Sequence, residues 1–203
     1  MNYFKIFIFV IFTTLSFNSY AEEFSFGSIG YTKHTAEDIH DSAGSTYLND
    51  PEENGVAFGF GVGEKSNGIG GDFEINYYPE TSTTITTGTS VDVSTLTLMS
   101  NLYAMPDMGN DLNLMIGGGI GAAYTTVDTS HSSGGVTFNG DDTHFTPAYQ
   151  FLFGIDFNKL QIVYKHSIFG EVKGGSGTAS DGGTYVADEF DSKYDSINLR
   201  FKF

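Results

Sequence analysis

The chain has 203 residues, with 25 Asp and Glu against 9 Lys and Arg, and a formal net charge of −16 at pH 7. Such an acidic chain argues against nucleic acid or anionic lipid as a partner, and the absence of Cys excludes disulfides and thiolate zinc sites. Gly (26), Phe (19) and Tyr (12) are abundant whereas Pro (4) is rare, as a small membrane β-barrel requires. The length predicts one domain.

Residues 1–21 have the features of a secretory signal peptide. Lys5 makes the start positive, residues 6–12 are apolar, and the small-x-small sequence at 19–21 is a cleavage site. The apolar stretch falls short of the roughly 20 residues that a transmembrane helix needs. We therefore predict cleavage that leaves residues 22–203 as an exported barrel domain.

After the predicted signal, segments that alternate bulky apolar with small or polar residues recur along the chain. In the clearest of them, Val56, Phe58 and Phe60 alternate with Ala and Gly, which is typical of a strand with one bulky face. Eight such segments are present, at residues 23–33, 55–64, 69–78, 93–104, 112–126, 144–157, 160–169 and 194–203.

The spacers between these segments are alternately long and short. Long polar spacers occupy 34–54, 79–92, 127–143 and 170–193, and short turns occupy 65–68, 105–111 and 158–159. This rhythm is typical of outer-membrane barrels, in which an even strand count leaves no backbone edge in lipid. We predict an all-β fold, a monomeric eight-stranded antiparallel up-and-down transmembrane β-barrel. A secreted β-sandwich is the alternative, and the Thr-rich middle of 79–92 is either a loop or an extension of its two strands.

Four segments carry a family resemblance. They are Leu-Thr-Leu-Met-Ser-Asn-Leu-Tyr at 96–103, Gly-Gly-Gly-Ile-Gly-Ala-Ala-Tyr at 117–124, and the segments at 148–156 and 71–78. In order and spacing they resemble strands of the opacity-like and surface-antigen barrels of Gram-negative bacteria, which have the eight-stranded fold of outer membrane protein A and X. The spacers resemble nothing in that family, and Tyr-Lys-His at 164–166 stands where it usually has Tyr-Arg-Tyr.

The resemblance implies a location in the bacterial outer membrane, with outer-membrane lipid and lipopolysaccharide as surroundings. It also implies a role at the cell surface, as an adhesin, as a surface antigen or in envelope integrity, with host surface molecules as partners of the loops. The contrasting hypothesis is a narrow barrel that transports small hydrophobic or polar solutes.

Polar residues on the less bulky strand faces are expected to point into the lumen. An eight-stranded barrel is only wide enough for its side chains to fill, and an unpaired buried charge is costly. We therefore expect Glu74 to pair with Lys165 or Arg200 and to plug the lumen. Asp156 and Lys202 belong to the same inward set, but because they lie near strand ends we expect them to be solvated. The predicted lumenal polar network consists of Asp72, Glu74, Gln150, Lys165 and Arg200.

We expect no catalytic residue, metal site or cofactor. His166 and Ser167 are neighbours on a strand, so they point to opposite faces and cannot act as base and nucleophile. His131 and His144 accompany a Ser-rich spacer and are expected to be ordinary polar residues. The carboxylates of the first long spacer are an alternative Ca²⁺ site, but they lack the Asp-x-Asp-x-Asp-Gly spacing.

The last segment has the pattern of an assembly signal. Ile197, Leu199, Phe201 and Phe203 alternate with polar residues, and the last of them is aromatic. The barrel-assembly machinery reads such a pattern on a final strand. We therefore expect loss of Phe203 to lower assembly into the outer membrane.

Overall fold

The computed structural model describes residues 21–40, 52–86, 88–185 and 189–203. Residues 1–20 of the predicted signal peptide lie outside the described residues, so its cleavage stays a prediction. Within the described ranges, no helix is both long enough and apolar enough to cross a membrane.

The described strands form one closed antiparallel barrel in which sequence neighbours pair and the last strand closes against the first. This confirms the predicted eight-stranded up-and-down barrel. Two very short strands, β8 (Gly177–Thr178) and β9 (Thr184–Tyr185), form a separate small sheet. The barrel strands are β1 (Glu22–His40), β2 (Glu52–Ser66), β3 (Ile69–Thr86), β4 (Thr89–Ala104), β5 (Leu112–Ser133), β6 (Val136–Phe157), β7 (Leu160–Lys173) and β10 (Glu189–Lys202).

An apolar belt surrounds the part of the barrel nearest the described chain termini. Successive side chains of a strand point to opposite faces, so burial alternates along β6 and β10. Outward Phe58 and Phe60 are about half exposed, at 47% and 53%. A continuous exposed hydrophobic band is what transmembrane barrels present to lipid. The outward residues of this apolar belt include Ile29, Tyr31, Val56, Phe58, Phe60, Ile75, Tyr77, Leu98, Ile120, Tyr124, Phe151, Phe153, Ile197, Leu199 and Phe201.

The short connections lie at the end of the barrel that carries the described termini. Asn67 and Gly68, with φ of 51° and 78°, form the two-residue turn between β2 and β3 that Asn-Gly favours. Asn158 also has a positive φ (39°) in the turn between β6 and β7. Residues 105–111 connect β4 to β5 and bond back to the first turn, since Met105 N donates to Gly68 O at 2.6 Å. The predicted short turns are thus confirmed.

At the other end, which we call the distal half, β3 to β6 run far beyond the apolar belt. β5 and β6 stay paired up to Ser133 and Val136, with Gly134 and Gly135 (φ 59° and 85°) as the turn. The interpretation of residues 127–143 as a spacer between two strands is therefore wrong, whereas the extended-strand alternative for the Thr-rich spacer is right. Beyond the belt the outward face is no longer apolar, so the alternation weakens while Thr and Val retain their β-propensity.

The backbone ladder is interrupted at two places in the distal half. The β2–β3 ladder ends at Tyr77, and the β6–β7 ladder ends at Tyr149. Pro79 and Pro147 lie two residues beyond these ends, and proline has no N–H to donate to a neighbouring strand. The distal half therefore consists of two sheets, β3–β4–β5–β6 and β7–β10–β1–β2.

Candidate functional site

The five residues of the lumenal network lie together inside the barrel. Strand alternation gives Asp72 and Glu74 on β3 the same inward face as Gln150 on β6, Lys165 on β7 and Arg200 on β10. All five are buried, and Lys165 and Arg200 have no exposed surface. The side chains thus reach one another across the barrel from four different strands.

Glu74 joins the members of the lumenal network. Its carboxylate accepts hydrogen bonds from Lys165 Nζ (2.8 Å to each oxygen), Arg200 Nη2 (2.6 Å) and Gln150 Nε2 (2.9 Å). Arg200 Nη1 also donates to Asp72 Oδ2 at 2.9 Å. The structure therefore joins Glu74 to both expected cations at once. Two carboxylates and two cations meet in a dry interior, where charges are tolerated only when paired and hydrogen-bonded.

Further side chains complete this network. Asn101 Nδ2 donates to the aspartate of the lumenal network at 2.6 Å. Asn76 Oδ1 accepts a hydrogen bond from the lysine of that network at 3.2 Å. The Arg200 guanidinium lies 4.4 Å from the ring centroid of Phe26, a cation–π contact. The same alternation that orients the predicted residues also orients both asparagines inward. The contact of Phe26 with Arg200 could not be predicted from the sequence, because the two residues meet only when the barrel closes.

A second ion cluster occupies the lumen near the chain termini. Asp156 has no exposed surface and Lys202 is 8% exposed. The Lys202 ammonium donates to Asp156, and Lys65 Nζ lies 3.6 Å from the other carboxylate oxygen. The expectation that Asp156 and Lys202 are solvated is therefore wrong. Both point inward, as strand alternation predicts, and the Lys202 ammonium lies 5.8 Å from the Phe24 ring centroid.

Apolar side chains fill the lumen on both sides of the lumenal network. The aromatic layer, formed by Tyr78, Phe169 and Tyr194, lies on the distal side, with ring centroids 4.4 to 5.7 Å apart. The expectation that polar side chains fill the cylinder therefore holds for the lumenal network and the second ion cluster but not for these two layers. Strand alternation predicts which way a side chain points, but a sealed interior accepts apolar groups equally well. The layer on the side of the termini consists of Tyr103, Met105, Met115, Leu152 and Val163.

The connection from β7 to β10 docks on the distal half of β6. Ser180 N donates to Thr137 O at 2.9 Å, and Thr137 N donates to Ser180 Oγ at 3.0 Å. A Cβ on Gly175 would overlap the carbonyl oxygen of Gly140, so this approach requires glycine. The docked segment, residues 174–183, therefore belongs to a folded distal surface. The sequence predicts only a long polar spacer here, because no local motif signals the contact.

The outward face of the distal half is acidic. Asp92, Asp128 and Asp141 lie opposite one another on β4, β5 and β6, and they line a shallow cavity. Lys173 on β7 donates to Glu189, and this hydrogen bond raises the pKa of Lys173. In the part of the chain that the structure describes, no group of three or more His, Cys, Asp or Glu residues is placed to hold a metal ion.

The histidines show one contact that the sequence analysis missed. His166 points outward and Ser167 inward, as predicted. His34 Nε2 and Ser192 Oγ, however, lie 3.1 Å apart across the strands that close the barrel. Both are buried, at 2% and 0% exposure, so a lipid or sugar substrate cannot reach them. Most of the first spacer, the alternative Ca²⁺ site, lies outside the described residues, at 41–51.

The last strand presents its apolar residues outward. Phe201 and Phe203 are 53% and 76% exposed, and Ile197 and Leu199 lie on the same face. Phe203 exchanges backbone hydrogen bonds with Ser25, N to O at 3.0 Å and O to N at 3.2 Å, so closure extends to the last residue. Recognition of these residues by the barrel-assembly machinery stays a prediction.

Solved structures with the same architecture are outer-membrane proteins. The chain is similar to the outer membrane protein OprG from Pseudomonas aeruginosa (14% identity, TM-score 0.55, covering 89% of this chain and 96% of that one). It is similar to the outer membrane protein AlkL (16%, 0.53, 93% and 93%) and, at TM-score 0.46 and 12% identity, to Ail, the attachment invasion locus protein of Yersinia pestis (89% and 99%). No protein-family model and no curated protein matches the sequence.

The chain therefore has the fold of the eight-stranded outer-membrane β-barrels. Closure of the sheet, the apolar belt and the likeness to OprG and AlkL all agree on this class. At 14% and 16% identity, the likeness establishes the fold and leaves the role to be argued from this chain's own residues.

Proposed function

We propose that this protein is a surface-exposed barrel of the bacterial outer membrane with a structural or interaction role and a plugged lumen. The role is adhesion, maintenance of the envelope, or display as a surface antigen. The observation that carries this proposal is the buried, charge-balanced lumenal network, in which Glu74 binds both Lys165 and Arg200. A protein with a filled interior acts through its outer surfaces.

The plugged lumen is supported by the energy of opening it. An ion passing through would have to separate charges that are 2.6 to 2.9 Å apart in a low-dielectric interior. Leaving one partner of a buried pair uncompensated costs about 3–5 kcal/mol. The aromatic layer is a second obstacle on the distal side, since its three rings pack against one another. We infer that neither ions nor small polar solutes pass at an appreciable rate.

Conductance in planar bilayers tests the plug. The folded protein, identified by its shifted electrophoretic mobility before heating, is expected to give no steady channel openings. Protein that has been heat-unfolded serves as the control for detergent artefacts. Steady nanosiemens steps from the folded protein would contradict the plugged lumen.

The interaction role is supported by the distal half. Its two sheets and the docked segment hold a folded polar surface beyond the apolar belt, and in our proposal this surface faces the cell exterior. The outward residues of the β5–β6 hairpin are hydroxyl, amide and carboxylate residues, as Asp128, Ser130, Asn139 and Asp141 illustrate. Host surface molecules and lipopolysaccharide are the proposed partners.

Shortening the β5–β6 hairpin tests the interaction role. Thr126 and Thr143 are paired, so an Asn-Gly turn can replace residues 127–142 without touching the belt. The control replaces only Gly134-Gly135 with Asn-Gly and keeps the hairpin. Cells with the short hairpin are expected to lose attachment to host epithelial cells or matrix while retaining folded protein. Attachment and detergent resistance both equal to those of the control would contradict an interaction role for this hairpin.

The location and the signal peptide are tested together. We propose that the chain is cleaved after Ala21 and inserted by the barrel-assembly machinery into the outer membrane. Mass spectrometry of the purified protein is then expected to find Glu22 at the N-terminus. A protein that is folded and freely soluble without detergent would contradict the location.

A second candidate function is passage of small apolar molecules. Distal to the aromatic layer, a cluster of buried apolar residues lines the lumen beside the buried polar residues Ser192 and Thr129. Pro79, just beyond the end of the β2–β3 ladder, follows Tyr78 of that layer directly. Uptake of a small aromatic hydrocarbon into vesicles, with and without the protein, tests this candidate. Equal uptake would remove it, whereas faster uptake that a Val93→Lys substitution abolishes would favour it over the plugged barrel. The lining residues are Ala36, Val91, Val93, Val127, Val172 and Phe190.

A further inference from the structure

A polar cluster interrupts the apolar belt on the wall formed by β7, β10 and β1. Asp195 on β10 accepts hydrogen bonds from Tyr164 Oη and from His166 Nδ1, the latter at 2.9 Å. All three side chains point outward, and those of His166 and Asp195 are 40% and 34% exposed. This wall cluster (Tyr164, His166 and Asp195) has no part in plugging the lumen.

The wall cluster lies within the belt and not merely above it. Along β7, His166 is flanked on the outward face by Tyr164 and Ile168, and it pairs across the strands with Phe151, which is 50% exposed. Among the outward Asp, Glu, His, Lys and Arg side chains of the described strands, only that of His166 has aromatic or aliphatic outward neighbours on both sides along its own strand. Charged groups on the lipid face of a barrel are destabilising, most of all toward the bilayer centre. A partner that covers the cluster would remove that cost.

The charges of this wall argue against a phosphorylated lipid head group as that partner. Lys33 Nζ lies 2.9 Å from Glu52 Oε1, and the Lys193 ammonium donates to Glu37. Each of these cations is therefore already matched by a carboxylate, and Asp195 adds another negative charge. The hydrogen-bonding groups of His166 and Asp195 lie side by side at the same height on neighbouring strands, so a two-fold rotation sets the imidazole of one wall opposite the carboxylate of an identical wall.

We propose that the wall cluster is a contact between two copies of this chain lying side by side in the membrane. This inference rests on the proposed outer-membrane location, because insertion gives both copies the same direction. The two-fold axis must then run along the membrane normal, and it brings His166 of one copy opposite the partner's Asp195 and the reverse. The side-by-side pair shields both clusters from acyl chains and takes the place of the monomer predicted from the sequence.

Cross-linking through introduced cysteines tests the contact, since the chain has no Cys of its own. Ile197, one outward position from Asp195 on β10, is 57% exposed, and Ile120 on β5, in the other half of the barrel, is 53% exposed. After oxidation of membranes, Ile197→Cys is expected to give several-fold more covalent dimer than the matched control Ile120→Cys. Equal yields, or no dimer from either, would overturn the inference. If the unsubstituted protein is not recovered folded in the outer membrane, the proposed location fails instead.

Charge substitutions distinguish contact between copies from a bond within one copy. Both substitutions are made in the Ile197→Cys background. His166→Asp places a second carboxylate beside Asp195, and Asp195→Lys replaces the carboxylate of the wall cluster with an ammonium. Each alone is expected to lose dimers, whereas a mixture of the two, one carrying a size tag, is expected to give mixed dimers preferentially. Mixed dimers no more frequent than like pairs would overturn the inference. Yields that change only when phosphorylated glycolipid is added would assign the cluster to lipid and overturn it as well.

Discussion

Glu74 receives hydrogen bonds from a lysine, an arginine and a glutamine in a space without exposed surface. Replacing it with Ala leaves Lys165 and Arg200 competing for Asp72 alone, and an uncompensated buried charge costs about 3–5 kcal/mol. We expect Glu74→Ala to lower the free energy of unfolding by that amount in urea titrations of the protein in phosphocholine vesicles. Glu64→Ala, near the short β2–β3 turn, is the control and is expected to stay within about 0.5 kcal/mol.

A double substitution checks that the lower free energy of unfolding comes from the cation left without its carboxylate partner. Replacing Glu74 and Lys165 together with Met removes both members of one pair and leaves Arg200 with Asp72. Apolar replacement of a whole buried pair is often neutral, so we expect a smaller loss than for Glu74→Ala. A loss as large as that of the single substitution would show that the charge pairing is not what stabilises this layer.

At the scale of elements, the docked segment depends on two glycines that approach closely. Gly175→Ala would place a methyl group against the carbonyl of Gly140 and is expected to release residues 174–183 from β6. Gly183→Ala, in the same segment but facing only the flexible Asp181 side chain, is the control. We expect a protease added to intact cells to cleave the Gly175→Ala protein several-fold faster. Equal cleavage of both variants would mean that the segment is not held by this contact.

The final strand gives a second prediction for an element. Phe203→Ala is expected to reduce the amount of folded protein in the outer membrane, because it removes the last aromatic of the proposed assembly signal. Phe157→Ala is the matched control, an outward aromatic at the same end of β6 that is 41% exposed. Heat-modifiable mobility in membrane fractions measures the folded amount. An equal reduction in both variants would indicate a general effect of interfacial aromatics and contradict a specific signal.

For the whole molecule, the sequence predicted what strand alternation controls and missed what closure of the barrel controls. The strand count, the short turns and the inward direction of Asp72 and Glu74 follow from a two-residue period. Three features could not be predicted because they depend on residues that meet only in the closed barrel. They are the burial of Asp156, the contact of His34 with Ser192, and the docking of residues 174–183. The long β5–β6 hairpin was missed because hydrophobic alternation ends with the apolar belt, whereas strand pairing does not.

Two of the layers that fill the lumen predict how the whole barrel responds to their removal. Replacing the four charged residues of the lumenal network with Ala removes one obstacle, and replacing Tyr78, Phe169 and Tyr194 with Ala removes the other. Because each layer lies across the same narrow cylinder, we expect either set alone to leave the barrel closed in planar bilayers. In the combined variant the layer on the side of the termini and the Asp156–Lys202 cluster still narrow the lumen. We expect it to open more often than either set alone, provided that its shifted gel mobility shows it to be folded. Openings in the charge-layer variant alone would mean that the aromatic layer is no barrier to ions.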